Sequence, residues 1–236
     1  MSIDTTFDFR SDSNGRDPDA FSKTLKRYHQ ILWSKPLPNG LTLELEPIGS
    51  YLAFRFNMQT IKFGSDSISN SYMGTKKIAH LKDQISQPEF EEFRDKGSTI
   101  GGYLIFPSER EGGKMTINGA RGFNSKIADR FDLTLECIRR HYQRQQHPLE
   151  STFNSPINKF FFSLFKDFQV YVVFFLLQDL VDNNYEVVNF FTALRNDFAG
   201  SPIPETAAEY RAYKDATLEF VRQRNERIAK WVRNWS

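Results

Sequence analysis

LTLELEPIGSYLAFRF, residues 41–56, decides the fold. Leu41, Leu43 and Leu45 alternate with Thr42, Glu44 and Glu46, and beyond the break at Pro47 to Ser50 Leu52, Phe54 and Phe56 alternate with Ala53, Arg55 and Asn57. Successive side chains leave a strand on opposite faces, so a period of two marks a strand with one buried face, and the break makes the pair a hairpin. TIKFGSDS, residues 60–67, extends the pattern to a third strand. TIGGYLIFPSEREGGKMTIN, residues 99–118, reads as a second hairpin with Gly112 and Gly113 at its tip.

Toward the N-terminus the first sixteen residues are polar and contain glycine, which predicts an arm. Asp17 and Pro18 then supply a cap and a first helical position, and Phe21, Leu25, Tyr28 and Leu32 follow at helical spacing until SKPLPNG stops them. Ile78, Leu81 and Ile85 predict a helix, Pro88 interrupts it, and Phe90 and Phe93 predict another turn before Gly97. From Ser125 the period is 3.6, with helices expected over 159–181, 185–196 and 205–235. The expectation is a single α+β domain: an arm (1–16), a sheet-containing half (17–124) built on a mainly antiparallel sheet, and a largely helical half (125–236) packed against it.

Composition narrows the function classes. With 39% hydrophobic and 25% charged residues in 236, the chain can bury a core and is not disordered. Its 23 phenylalanines predict a core of large rings. A net charge of +2 gives no global pull toward nucleic acid, so such binding needs a local patch. The lone Cys137 excludes an intrachain disulfide and fits a reducing cytoplasm, and the first residues lack a secretory pattern. Lys166, Asp167 and Asp179 break KFFFSLFKDFQVYVVFFLLQDLV, residues 159–181, well short of the roughly 20 apolar residues of a membrane span, so a buried helix is expected and no membrane. The histidines, His29, His80, His141 and His147, include no pair three or four apart, so no metal is expected.

TINGARGFNSKIADRFDLTLECIRRHYQ, residues 116–143, carries the densest charge. On a helical wheel Ile127, Phe131, Leu135, Ile138 and Tyr142 oppose Asp129, Asp132, Glu136, Arg139, Arg140 and Gln143. Two readings stand: a solvated face, or a polar cleft in which Asp132 and Glu136 meet Arg121 and Arg130. In GARGFN, Gly119 and Gly122 around Arg121 fit either a strand-to-helix turn or a helix start presenting N–H groups to a phosphate. FVRQRNERIAKWVRNW, residues 220–235, interleaves Arg222, Arg224, Arg227, Lys230 and Arg233 with Phe220, Trp231 and Trp235, either as phosphate and base contacts or as a core seam with a basic side.

LWSKPLPNG (32–40), INGARG (117–122) and DRFDLTLECIRRHY (129–142) resemble an uncharacterised family of bacterial proteins, a domain of unknown function. A narrower pattern, RYHQIL with Tyr28 and His29, KFGSDSISNSY with Ser65, Ser67 and Tyr72, and Glu136, resembles the His-Tyr-Glu ADP-ribosyltransferases. That resemblance implies NAD as the substrate cofactor, held by His29 at the ribose and Tyr72 at the nicotinamide, with Tyr28, Ser65 and Ser67 lining the site. Glu136 would stabilise an oxocarbenium-like transition state, a carboxylate whose attraction grows as the cation develops. Arg121 and Arg10 are candidate phosphate or substrate contacts. It further implies transfer to nucleic acid or protein, as in toxins and phage-defence effectors. The family's histidine lies on a strand and its glutamate at a strand end, whereas both fall here in helical segments. RHYQRQQH, with Arg140 and His147, also resembles the helical ribonucleases known as HEPN domains, which implies His147 as general acid/base and Arg140 as phosphate stabiliser. A third class is a non-catalytic module that docks a partner protein or nucleic acid through aromatics and charge.

Overall fold

The computed structural model describes residues 2–57, 59–72, 75–110, 113–192 and 198–235, apart from the side chain of Trp235. Asp17 accepts a hydrogen bond from the amide of Asp19 and starts α1 (Pro18–Phe21). Ser22 ends α1 and accepts from the Leu25 amide to start α2 (Lys23–Trp33), so the helix expected from Pro18 through Leu32 is two helices divided at a second cap. The hairpin of residues 41–56 is β1 (Leu45–Ile48) and β2 (Tyr51–Phe56), with Leu45 opposite Phe54 and Pro47 opposite Leu52. β3 (Gln59–Ser67) and β4 (Tyr103–Pro107) complete an antiparallel sheet of order β1-β2-β3-β4. β4 is buried along its whole length.

Between β3 and β4 lie a 3₁₀ segment, Lys76–Gln84, and α3 (Gln87–Gly97). Pro88 falls in the first turn of α3, where its missing N–H is no loss, so it opens a helix and interrupts nothing. The remaining elements are α4 (Ile117–Phe123), α5 (Phe131–Tyr142), α6 (Glu150–Phe153), α7 (Pro156–Ser163), α8 (Phe168–Phe174) and α9 (Ala207–Trp235). The architecture is α+β, as the sequence predicts, with the sheet in the N-terminal half.

Four local expectations are corrected. The supposed arm carries a 3₁₀ turn, Phe9–Asp12, and Phe9 is fully buried with its ring edge-on to Tyr28 and Tyr103. β4 pairs with β3 and not with a strand of its own hairpin: residues 117–123 are helix α4, and Gly112 of the expected tip lies outside the described residues. Residues 159–181 form two helices and a 3₁₀ turn, Gln178–Leu180, because Asp167 turns out to be an N-cap that accepts from the Val170 amide. Residues 185–192 are not helical and place Val188 in a bridge to Val181, while 193–196 lie outside the described residues. No helix among the described residues is long and apolar enough to cross a membrane.

The phenylalanines do what their number predicts. Phe161, Phe165, Tyr171, Phe174 and Phe175 form a nest of rings with centroids 4.8 to 6.3 Å apart, joined to the sheet by Phe63 against Phe161 at 5.7 Å and to α2 by Trp33 against Phe175 at 5.2 Å. α9 meets the nest at Phe175. Arg224 is wholly buried there, with no carboxylate, and donates to the carbonyls of Gly101 at 2.9 Å, Tyr103 at 2.7 Å and Phe175 at 3.1 Å. One residue on, the Asn225 side-chain carbonyl accepts from the Gly101 amide at 2.7 Å.

The segment entering β4 requires glycine against two neighbours, the end of α3 and α9. A Cβ at Gly102 would lie 2.0 Å from the Gly97 carbonyl oxygen, and one at Gly101 2.4 Å from that of Val221. Backbone cannot retreat as a flexible side chain can. Gly102→Ala is therefore expected to lower the free energy of unfolding by about 3 kcal/mol or more, at the upper end of overpacking costs, as measured by urea denaturation.

Candidate functional site

Three clusters of polar side chains interrupt the apolar interior. The first lies where α1 and α2 meet β3. The indole N–H of Trp33 donates to His29 Nδ1 at 3.0 Å, and His29 Nε2 lies 2.9 Å from Ser65 Oγ. An indole can only donate, so Nδ1 must accept, the ring proton must sit on Nε2, and Nε2–H donates to Ser65. Ser65 is thus a recipient of a proton bond and not a nucleophile deprotonated by its histidine. Burial, followed by the nearby Arg224 cation, pushes His29 down to about 3, which keeps it neutral.

Asp19, Lys26, His29, Ser50 and Ser65, with Leu52 and Phe63 beneath, line a cavity of about 10 Å³. That is room for one water molecule. Asp19 Oδ1 is buried without a hydrogen-bond partner, and burial, then the Asp66 and Asp17 carboxylates, push its carboxyl up to about 8. That shift favours the protonated carboxylic acid near neutral pH.

The second cluster is centred on Arg121, which is fully buried. Its guanidinium donates to Asp66 at 2.5 Å, the Ser67 carbonyl at 3.1 Å, the Asp129 carbonyl at 2.9 Å and Thr134 Oγ1 at 3.2 Å. A phosphate reading for Arg121 meets a side chain with its donors committed. The GARGFN segment itself falls in helix α4 and its C-cap, and the Gly119 amide at the helix start is met by the Thr116 hydroxyl. Tyr72 lies close by: its hydroxyl donates to the Ala128 carbonyl at 2.8 Å and its ring packs 5.8 Å from Tyr213. Its φ of 56° is left-handed, held by the Asn70 side chain accepting from the Tyr72 amide.

The third cluster is the charged arc of α5, which proves to be neither solvated nor an open cleft. Asp132 is buried, paired with Arg130, and accepts from the Phe191 amide at 2.9 Å. Glu136 is 3% exposed, with one oxygen shared by Arg139 and Arg140 at 2.7 Å each and the other held by Arg139 at 2.7 Å. At the end of α5, His147 is buried among His141 and Phe153 with neither ring nitrogen hydrogen-bonded, and burial, then His141 and Arg140, push it down to about 4.

The sequence-derived positions therefore separate. His29 meets Ser65, and Asp66 meets Arg121 one residue along the same strand. Tyr72 and Glu136 line none of the described cavities, and the described cavity that His29 lines is too small for a dinucleotide. Tyr28 is buried, its hydroxyl accepting from the Asp4 amide at 3.0 Å, and Ser67 donates to the Ser69 carbonyl at 2.9 Å. Arg10 is forked between Asp8 and Asp95. In the C-terminal basic stripe Arg222 pairs with Glu219 and Glu226, Arg227 with Asp179, and Arg224 is internal. No group of three or more potential ligands is placed to hold a metal among the described residues.

Open concavity occurs elsewhere. Phe123, the last residue of α4, is 80% exposed. It forms a shared wall of two hollows, one of about 610 Å³ lined by Lys77, Lys126 and the Gly200–Ile203 turn, the other of about 310 Å³ lined by Lys114, Met115, Pro148 and Thr152. Neither lining contains a carboxylate, and none of the three lysines has an ion-pair partner among the described residues. In the sequence GARGFN reads through its glycines and Arg121, not through Phe123. The interleaving of Lys114, Phe123 and Lys126 was the available signal for this face.

Fold and site together define an α+β protein whose buried arginines are held by carboxylates or backbone carbonyls and whose two larger described hollows share the exposed ring of Phe123. A family model matches residues 3–228, and the chain belongs to that family, DUF6994, a family of unknown function. No curated protein and no solved structure matches it. The resemblance of the LWSKPLPNG, INGARG and DRFDLTLECIRRHY segments to an uncharacterised family is borne out, and the family brings no assigned chemistry with it.

Two outcomes follow from the buried groups. A carboxyl raised to about 8 contributes stability that is complete below the ordinary carboxylate range and lost as pH rises through 8. Asp19→Asn, which keeps the neutral shape, is expected to flatten the loss of stability between pH 5 and 8.5 by on the order of 2 kcal/mol in denaturant titrations. Glu136→Gln leaves Arg139 and Arg140 half-free to reach water and is expected to lower stability by about 1–2 kcal/mol, read from the urea midpoint at pH 7.

Proposed function

We propose that the chain is a non-catalytic binding protein that takes an anionic partner on the face around Phe123. The observation that carries this reading is the pairing of an 80% exposed phenyl ring with two hollows whose charged lining is lysine alone. Large rings are normally withdrawn from water, and 22 other phenylalanines share the chain with this one. A ring left out beside unpaired cations is the composition of a recognition surface. The polar clusters of the interior support the same conclusion from the other side. Most of their donors and acceptors are engaged with one another, Asp19 Oδ1 and the two His147 ring nitrogens excepted, and the His29 cavity has room for a single water.

The reading requires salt-dependent retention on immobilised heparin that depends on this face. A Lys77→Glu, Lys114→Glu, Lys126→Glu variant should elute without added salt, whereas Lys23→Glu, Lys166→Glu, Lys230→Glu, with the same change in net charge, should still be retained. Equal behaviour of the two variants overturns the proposal. Consumption of labelled NAD that disappears in Glu136→Gln at a temperature where the variant is folded would replace it with the transferase reading, and RNA cleavage lost in His147→Ala would replace it with the ribonuclease reading.

A further inference from the structure

The anionic partner can be narrowed by asking what the exposed ring and its two hollows have in common. The shared wall consists of Phe123 and Asn124, and both Asn124 side-chain atoms are already engaged: Nδ2 donates to the Pro148 carbonyl at 3.1 Å and Oδ1 accepts from the Lys126 amide at 2.9 Å. That leaves the ring as the feature a ligand meets from either hollow. Around it small residues, Gly122, Ser125, Gly200 and Ser201 on one side and Ser151 and Thr152 on the other, share the lining with Phe198, Pro202 and Ile203 and with Met115 and Pro148.

The charge is distributed to match a repeating anion. Lys77 and Lys126 stand on the larger hollow and Lys114 on the smaller, so cations lie on both sides of Phe123. Lys114 is steadied by donating to the Ser151 carbonyl at 3.0 Å, and Lys77 stands 5.7 Å over the ring of Tyr72. A chain that presents a flat π-face and a negative charge at each repeat satisfies both features at once. Single-stranded nucleic acid does so, and a base paired in a duplex has no free face to offer. An acidic peptide would use the lysines and leave the ring unmatched.

Resting on the docking reading above, we infer that the occupant of this face is single-stranded nucleic acid, with bases stacked on Phe123 across the two hollows and phosphates held by Lys77, Lys114 and Lys126. Recognition is of backbone and base face, and sequence preference is weak.

The test uses fluorescence anisotropy of the full chain with a labelled 12-nucleotide single-stranded RNA, the same sequence as DNA, the corresponding duplex and a glutamate-rich peptide of equal charge. Single strands should bind in preference to duplex, with a log–log salt slope of about −2, from three phosphates at roughly 0.7 each. Phe123→Ala should weaken binding about tenfold or more with the slope unchanged, Phe123→Trp should restore it, and Lys126→Ala should reduce the slope by about 0.7. Both Phe123 variants alter an exposed side chain, so an unchanged unfolding midpoint is expected and verifies the comparison. Strand binding unaffected by Phe123→Ala overturns the inference. Peptide binding without strand binding also overturns it while the docking reading survives. Failure of every probe, together with loss of the heparin difference, removes both.

Discussion

The guanidinium of Arg224 meeting the carbonyls of Gly101, Tyr103 and Phe175 is the constraint on which the arrangement of this chain depends. A cation sealed from water without a carboxylate is tolerable only where its N–H groups find acceptors in fixed positions. Here the acceptors come from the segment entering β4 and from the residue just past α8, so a single side chain of α9 sets the distance between the helical half and the sheet. Gly101, where a Cβ would run into the Val221 carbonyl of α9, lets that distance be short. Lys35, also buried, donates to the Phe174 carbonyl and lies over the rings of Trp33, Phe174 and Trp231. Burial, then the repulsion of Arg224, push it down to about 7. Trp33 in turn donates to His29, so the polar contact with Ser65 is the far end of a chain that starts on α9.

Much of the fold was legible in local pattern. The alternation across residues 41–56 located the first hairpin, and the register that pairs Leu45 with Phe54 is the one that puts both on the core side. Where the reading failed, the cause was a short polar residue acting as a stop. Ser22 divides α1 from α2, and Asp167 begins α8 in the middle of what hydrophobicity alone presents as one helix. β4 was correctly seen as a strand and wrongly paired, because nothing in residues 99–118 announces that its partner lies more than thirty residues earlier.

The interior charges were the least legible feature. Polarity along a helical wheel predicts exposure, yet Asp132 and Glu136 are buried, because arginines two before, three after and four after them close the pairs locally. The Arg121–Asp66 pair could not be anticipated in that way, since it joins β3 to α4. Such pairs contribute little net stability once desolvation is counted. Breaking one is expensive, and so each favours a unique packing over near neighbours. The surface feature was illegible for a related reason: Phe123, far more than Phe21, departs from the rule that rings go inside, and only a fold shows which phenylalanines do so.

The sheet's margins restrict how any partner can be engaged. β1 spans four residues and includes Pro47, which has no amide hydrogen to offer, while β4 at the other margin is enclosed by the chain itself. The first rim is short and interrupted by a residue without an N–H, and the second is buried, so neither presents a regular template for an added strand. Main-chain zippering with a peptide, or with another copy of the protein, is thereby disfavoured relative to association through side chains protruding from helices and turns.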